Sequence, residues 1–216
     1  MSEFAEVLAA LRQVRGINPF FALDVGRPDD SWLPGTALLE GPALKDTIDA
    51  IATRYNAGEP RVAASLFFLS YTARLLSPLT ATNLPIDVRP SNLWWHHDRA
   101  TGLSVRIDVP QLGPRPVEAL APVVEAVHAV VPVARGLLWG NAMSNIAGAL
   151  KMVVRAGVLT AEEAEERGNQ LMTAPPFEGA GEFIPFPGEV TFLRRSCCLY
   201  YRVAAGGKCG DCPLVK

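Results

Sequence analysis

Arg135-Gly-Leu-Leu-Trp-Gly-Asn-Ala-Met-Ser-Asn-Ile-Ala-Gly-Ala-Leu-Lys-Met-Val-Val-Arg-Ala156 sets the fold class. Leu137, Leu138, Trp139, Met143, Ile146, Leu150 and Val153 recur at helical spacing and predict a buried helix over 135–156. Gly140, Ser144 and Gly148 repeat every four residues, a small face on which another backbone can pack closely.

Working outward, the same period marks further helices. Glu3 to Val14 carries a stripe of Phe4, Val7, Leu8 and Leu11. Gly41-Pro42 opens a second helix with Pro at its first position, and Gly58 ends it. Pro60 opens a third, Ala63 to Leu76, closed by Ser77-Pro78. Pro116 begins a fourth with Leu120, Val123, Val124, Val127 and Val130, where Pro122 and Pro132 predict a kink or a split. Thr160-Ala-Glu-Glu163 is a capping box for a helix reaching Met172.

Short alternating runs interrupt this pattern at Ile86–Val88, Leu93–His97 and Leu103–Ile107, with a turn at Arg99-Ala-Thr-Gly102. They predict a hairpin with a third strand beside it, and Val190–Leu193 and Cys198–Val203 are further strand candidates. The fold class is α+β: a mainly helical body with a small antiparallel β-sheet and a C-terminal cysteine module. A Pro- and Gly-rich loop from Ala174 to Gly188 separates the two, so the predicted domains are 1–189 and 190–216.

The 216 residues are 49% apolar and 19% charged, a composition that buries a core and excludes disordered or collagenous classes. A net charge of −2 gives no global field for nucleic acid or anionic lipid. The longest uncharged apolar stretches, Val62–Ala73 and Gly136–Leu150, fall short of the ~18–20 residues of a membrane span. The opening Met1-Ser-Glu-Phe-Ala-Glu6 lacks the basic and apolar regions of a signal peptide, and a cytoplasmic location is expected.

Charge and cysteine are both concentrated in the last 23 residues. Five basic residues (Arg194, Arg195, Arg202, Lys208 and Lys216) stand against Asp211 alone, a net +4 that leaves −6 for the rest of the chain. All four cysteines lie here, in the spacing Cys197-Cys198-x10-Cys209-x2-Cys212. Four soft thiolates suit zinc or an iron–sulfur cluster. Gly210 and Pro213 shape a tight turn that aims Cys209 and Cys212 at one site. The adjacent pair departs from the C-x2–4-C knuckle of structural zinc, because neighbouring side chains on an extended backbone face opposite ways. A two-iron cluster tolerates that separation better than one tetrahedral ion. Disulfides fit poorly with a chain otherwise cytosolic in character.

This cysteine pattern, followed by Pro213, resembles the C-terminal signature of FhuF-type ferric siderophore reductases. Leu137-Leu-Trp-Gly-Asn-Ala-Met-Ser144 is similar to that family's Trp-Gly-Asn helix, and Arg74-Leu-Leu-Ser-Pro78 also looks similar. The resemblance implies a [2Fe-2S] cluster on Cys197, Cys198, Cys209 and Cys212. It further implies a cytosolic oxidoreductase that passes one electron to the ferric iron of hydroxamate siderophores. With no NAD or flavin motif in the sequence, a ferredoxin or flavodoxin-type carrier is the expected electron donor. A zinc-stabilised module that binds a siderophore or a protein without redox turnover is the alternative.

Candidate siderophore contacts are Trp95, His97, Asn141 and Arg195. On a strand one Trp and one His share each face, so Trp95 with His97 lines a pocket while Trp94 with His96 packs, or the reverse. Arg194, Arg195, Arg202 and Lys208 are placed to offset cluster charge. His128 and Trp139 read as core residues. The sequence shows no Ser-His-Asp, paired-carboxylate or phosphate-loop pattern.

Overall fold

The computed structural model describes residues 2–98 and 100–215. Met1, Arg99 of the expected turn and Lys216 of the basic tail lie outside the described residues. The described residues form helices α1 (Glu3–Val14), α2 (Ala43–Tyr55), α3 (Pro60–Thr82), α4 (Pro116–Val130), α5 (Arg135–Arg155) and α6 (Ala161–Leu171). The strands are β1 (Asp24–Val25), β2 (Leu33–Pro34), β3 (Leu93–Asp98), β4 (Gly102–Ile107), β5 (Gly181–Phe186) and β6 (Glu189–Arg194). The α+β class stands, with helices predominating.

The core is built on the pairing of α3 with α5, the most extensive contact between any two elements. Helix α3 is apolar almost all round and buries Phe67, Phe68, Tyr71, Leu75 and Leu76. It runs to Thr82, six residues beyond its expected end at Leu76. Pro78 removes one helical hydrogen bond at a cost of ~3 kcal/mol, but Leu75, Leu76 and Leu79 on either side of it are buried. The helix stops at Asn83, which takes the left-handed conformation (φ 54°) and caps Leu79. At 23 residues α3 is long and apolar enough to cross a membrane, contrary to the length expected from uncharged stretches alone, and 78% of its apolar window is buried inside the protein.

Other boundaries differ for local reasons. Pro42 precedes α2 as its N-cap, and left-handed Asn56 ends that helix before Gly58 is reached. Helix α4 accommodates Pro122 unbroken and stops ahead of Pro132, whose ring forces Val131 into the extended region. The α6 capping box is present, with both Thr160 and Glu163 bonding back.

The main sheet has the order β1-β4-β3-β2. Strands β3 and β4 pair antiparallel, Leu93 opposite Ile107 and His97 opposite Leu103. Strand β1 joins the edge of β4 in parallel. Ile86–Val88 does not become a strand; it makes one bridge, Ile86 to Leu112. Cys198–Val203 is not a strand either, because Leu199 is left-handed and Tyr200–Arg202 forms a 3-10 turn. The expected Pro/Gly loop holds β5, which pairs antiparallel along the whole of β6. Alternate residues of β6, Val190 and Phe192, are buried, and the strand packs on α5.

What replaces a strand at 86–88 is a buried carboxylate. Asp87 is fully buried and accepts from Arg89 Nε (2.9 Å), Arg89 Nη2 (2.7 Å), the Arg89 amide (3.1 Å) and Gln111 Nε2 (2.9 Å). Burial pushes its pKa up, yet the hydrogen bonds from Arg89 and Gln111 and the Arg89 charge hold it below the ordinary carboxylate value. A carboxylate depressed on folding stabilises the protein above its unfolded value and loses that contribution as pH falls through the folded value. Asp87→Asn is therefore expected to cost about 1–3 kcal/mol at pH 7 and to flatten the fall in stability below about pH 4. Urea unfolding of both proteins across that range measures it, and parallel acid profiles would remove Asp87 from this role.

Candidate functional site at the cysteine segment

Strand β6 ends at Arg194, and the four cysteines follow in a segment laid against α3 and α5. Gly140 is the point of closest approach: a methyl group there would overlap the Ser196 hydroxyl. The small face of α5 is used at Gly140 and at Ser144, whose Oγ donates to Asp211 Oδ2 (2.5 Å). A Cβ at Gly148 would meet nothing within 4 Å, so that end of the face is open.

Beneath the cysteines lies a buried polar chain. Arg194, 1% exposed, donates from Nη1 to Asn141 Oδ1 (3.1 Å). Asn141 Nδ2 donates to Ser65 Oγ (2.9 Å) and to the Ser65 carbonyl (3.2 Å). Ser65 Oγ in turn donates to the Cys198 carbonyl (2.7 Å). On its other side Arg194 Nε stands 3.6 Å from Asp211 Oδ2, and the Arg194 amide donates to the Asp211 carbonyl (3.1 Å). One side chain from α3, two from α5 and one buried arginine thus fix both cysteine pairs.

Two of the four thiols, one from each pair, lie side by side. Cys198 and Cys212 are buried, Cys197 and Cys209 half-buried. Cys198 Sγ lies 3.3 Å from Cys209 Sγ, close to the ~3.7 Å between two thiolates each ~2.3 Å from one tetrahedral metal. The Cys197 sulfur accepts from the Leu199 amide (3.3 Å), a contact that left-handed Leu199 (φ 67°) makes possible. The Cys212 amide bonds the Cys209 carbonyl (3.1 Å), closing the Gly210 turn. Among the described residues no three Cys, His, Asp or Glu side chains gather round one point at single-ion spacing. Four thiols in one short segment are the number a two-iron centre takes, two to each iron.

Burial also sets the protonation of the thiols. Burial pushes the Cys209 thiol up to about 12, helped by neighbouring Cys198, and burial also raises Cys197. Metal binding to such thiols displaces their protons. Burial disfavours charge on Arg194, but Asp211, Cys198 and Cys209 more than offset it and hold its pKa above the ordinary arginine value. Arg194 Nη2 and Ser196 Oγ are buried without hydrogen-bond partners. Both donors belong to the cysteine segment, where cluster sulfurs would accept from them.

Two other basic side chains of the segment make contacts away from the thiols. Arg202 pairs with Glu59, and Lys208 Nζ bonds the Leu214 carbonyl (2.8 Å). Arg195 is exposed, and its amide bonds the Ala180 carbonyl (2.8 Å). Of the sequence-derived contacts, Trp95 is 1% exposed and donates to the Pro34 carbonyl (3.2 Å), so it packs in the core. Asn141 is wholly buried and holds Arg194. His128 bonds the Val133 carbonyl (2.8 Å), and Trp139 packs edge-on against Phe177.

His97 does reach a cavity. A space of about 390 Å³ lies between α2, α3, α5 and the β3–β4 hairpin, lined by His97, Arg54, Tyr55, Ser70, Tyr200 and Cys209 among others. Arg194, Ser144 and Asn145 also line it. Sequence alone picked out His97 and the cysteines but not Ser65, Asn145 or Arg54. A serine inside the apolar run Val62–Ala73 was the available signal for Ser65.

Asn141→Ala removes the acceptor of Arg194 and the donor to Ser65 while leaving every thiol in place. It is expected to lower stability by about 1–3 kcal/mol and to speed the anaerobic decay of the visible cluster absorption several-fold. Unchanged decay would show that the polar chain does not support the thiols.

No curated protein matches the chain. Residues 194–214, about a tenth of the chain, match the family model described as the FhuF 2Fe-2S C-terminal domain. Those residues include all four cysteines, the buried Arg194 and the half-buried Asp211 beside it. The cysteine segment is thus an FhuF-type 2Fe-2S C-terminal domain, and its cofactor is a [2Fe-2S] cluster.

Proposed function

We propose that the protein is a ferric siderophore reductase whose [2Fe-2S] cluster is held by Cys197, Cys198, Cys209 and Cys212. The observation that carries this is the coincidence of all four thiols with the matched segment 194–214. When bound, the cluster supplies one electron at a time. Hard oxygen ligands hold Fe(III) far more tightly than Fe(II), so gain of one electron by the chelated iron is enough to make a hydroxamate complex labile.

The chain's own residues then have three tasks. The thiolates fix the centre against α3 and α5. Arg194 holds a buried positive charge beside Cys198 and Cys209, where added negative charge would otherwise be opposed by desolvation. The exposed Arg195 and Lys208 leave positive charge around the segment, which favours an acidic electron carrier of the ferredoxin or flavodoxin type. The proposed division of labour is a cluster module at 190–216 and a substrate-binding body at 1–189, working in the cytoplasm.

Anaerobic purification with iron, sulfide and zinc measured on one sample tests this. Two irons and two acid-labile sulfides per chain are expected, with Fe(II) released from a ferric trihydroxamate when a chemical reductant is supplied. Cys209→Ala and Cys212→Ala should each abolish both. One zinc per chain, no colour after reconstitution and no ferrous product would overturn the reductase and favour a zinc-stabilised binding module.

A further inference from the structure

We infer that the cavity between α2, α3, α5 and the β3–β4 hairpin is the seat of a ferric trihydroxamate chelate; this rests on the reductase reading. Cys209 is the cysteine that lines this space, together with His97 and exposed Arg54. A chelate seated there lies directly against the cysteine segment. The buried thiols, Cys198 and Cys212, are not part of its wall.

The lining matches the chelate's surface. A trihydroxamate neutralises Fe(III) and presents coordinated oxygens that keep spare lone pairs, so it is recognised by hydrogen-bond donors and apolar walls rather than by opposite charge. Among the described lining residues there is no Asp or Glu. The lining residues that carry donors include Arg54, Tyr55, Ser70 and Tyr200, and the apolar ones include Phe20, Leu66 and Leu69. Behind Phe20 the guanidinium of Arg74 lies 5.5 Å over the ring, with its Nε buried and without a hydrogen-bond partner. About 390 Å³ is within the range of small-molecule sites. It accommodates the iron core and part of the organic frame, the remainder passing Arg54 to solvent.

The seat is held open by the fold. Arg54 Nη2 reaches the Ala100 carbonyl (3.3 Å), and Asp98 Oδ1 accepts from the amides of Ala100 and Thr101 (2.8 Å each). The hairpin turn is therefore tied to α2 across the rim. Asn145, also a lining residue, donates from Nδ2 to the Leu69 carbonyl (2.8 Å) and Thr72 Oγ1 (2.7 Å), locking α5 to α3.

A gallium(III) trihydroxamate has the charge and shape of the iron complex and is not reduced, so its binding to the cluster-loaded protein can be measured by titration calorimetry without turnover. Ser70→Phe, which fills the cavity, and Arg54→Ala, which removes a charged donor at an exposed position, are each expected to weaken binding at least tenfold. Both should leave the visible cluster spectrum unchanged. Equal affinity in all three proteins would overturn the assignment of the cavity. If the unaltered protein binds no gallium chelate yet releases Fe(II) from the ferric one, the cavity assignment falls and the reductase stands. If the loaded protein does neither, both fall.

Discussion

Arg194 is a full positive charge with almost no access to water, and the surroundings of the cysteines are arranged to keep it there. A buried guanidinium without partners would cost several kcal/mol. Here Asn141 takes one nitrogen, Asp211 stands beside another, and two thiols lie against the group. The requirement propagates outward. Asn141 must be held by Ser65, Asp211 by Ser144, and Gly140 must stay small so that Ser196 can follow Arg194 across α5. The α3–α5 pairing that forms the core is the same pairing that brings Ser65 and Asn141 together, so the stability of the body and the geometry of the cysteine segment share one set of contacts.

That sharing bears on how the chain divides. The cysteine segment is continuous in sequence, but its hydrogen bonds run to helices 53 to 133 positions earlier: Arg194 to Asn141, Asp211 to Ser144, Cys198 to Ser65. Strand β6 is paired with β5 and packed on α5 before the first cysteine is reached. The segment carries the ligand chemistry while its shape is imposed by the body.

Much of this was legible in the residues. The period of Leu137 to Val153 located α5 to within a residue, and Thr160 with Glu163 located the start of α6, because both signals are local and need no partner. Where tertiary packing outweighed a local cost, the sequence misled: Pro78 reads as a stop, yet the buried leucines around it carry α3 onward. The tail of β6 shows the limit for site residues. Arg194 and Arg195 are equivalent as letters, and strand alternation says only that they face opposite sides; which one enters the protein depends on Asn141, more than fifty residues away. Trp95 and His97 share a strand face, but the sheet bends the fate of the two apart, one against Pro34 and the other beside the cavity.

Leu199 is a branched residue in the left-handed region, a conformation that costs of order 1 kcal/mol for anything but glycine. Its amide is turned by that conformation onto the Cys197 sulfur, immediately after the paired cysteines. A glycine would adopt the same backbone without strain, but it would also leave the loop free to sample many others. By using a leucine packed against the core, the chain settles the loop's shape during folding. Less conformational entropy then remains to be lost when the thiols close on their cofactor, so the assembly step meets a preorganised cradle rather than a flexible tail.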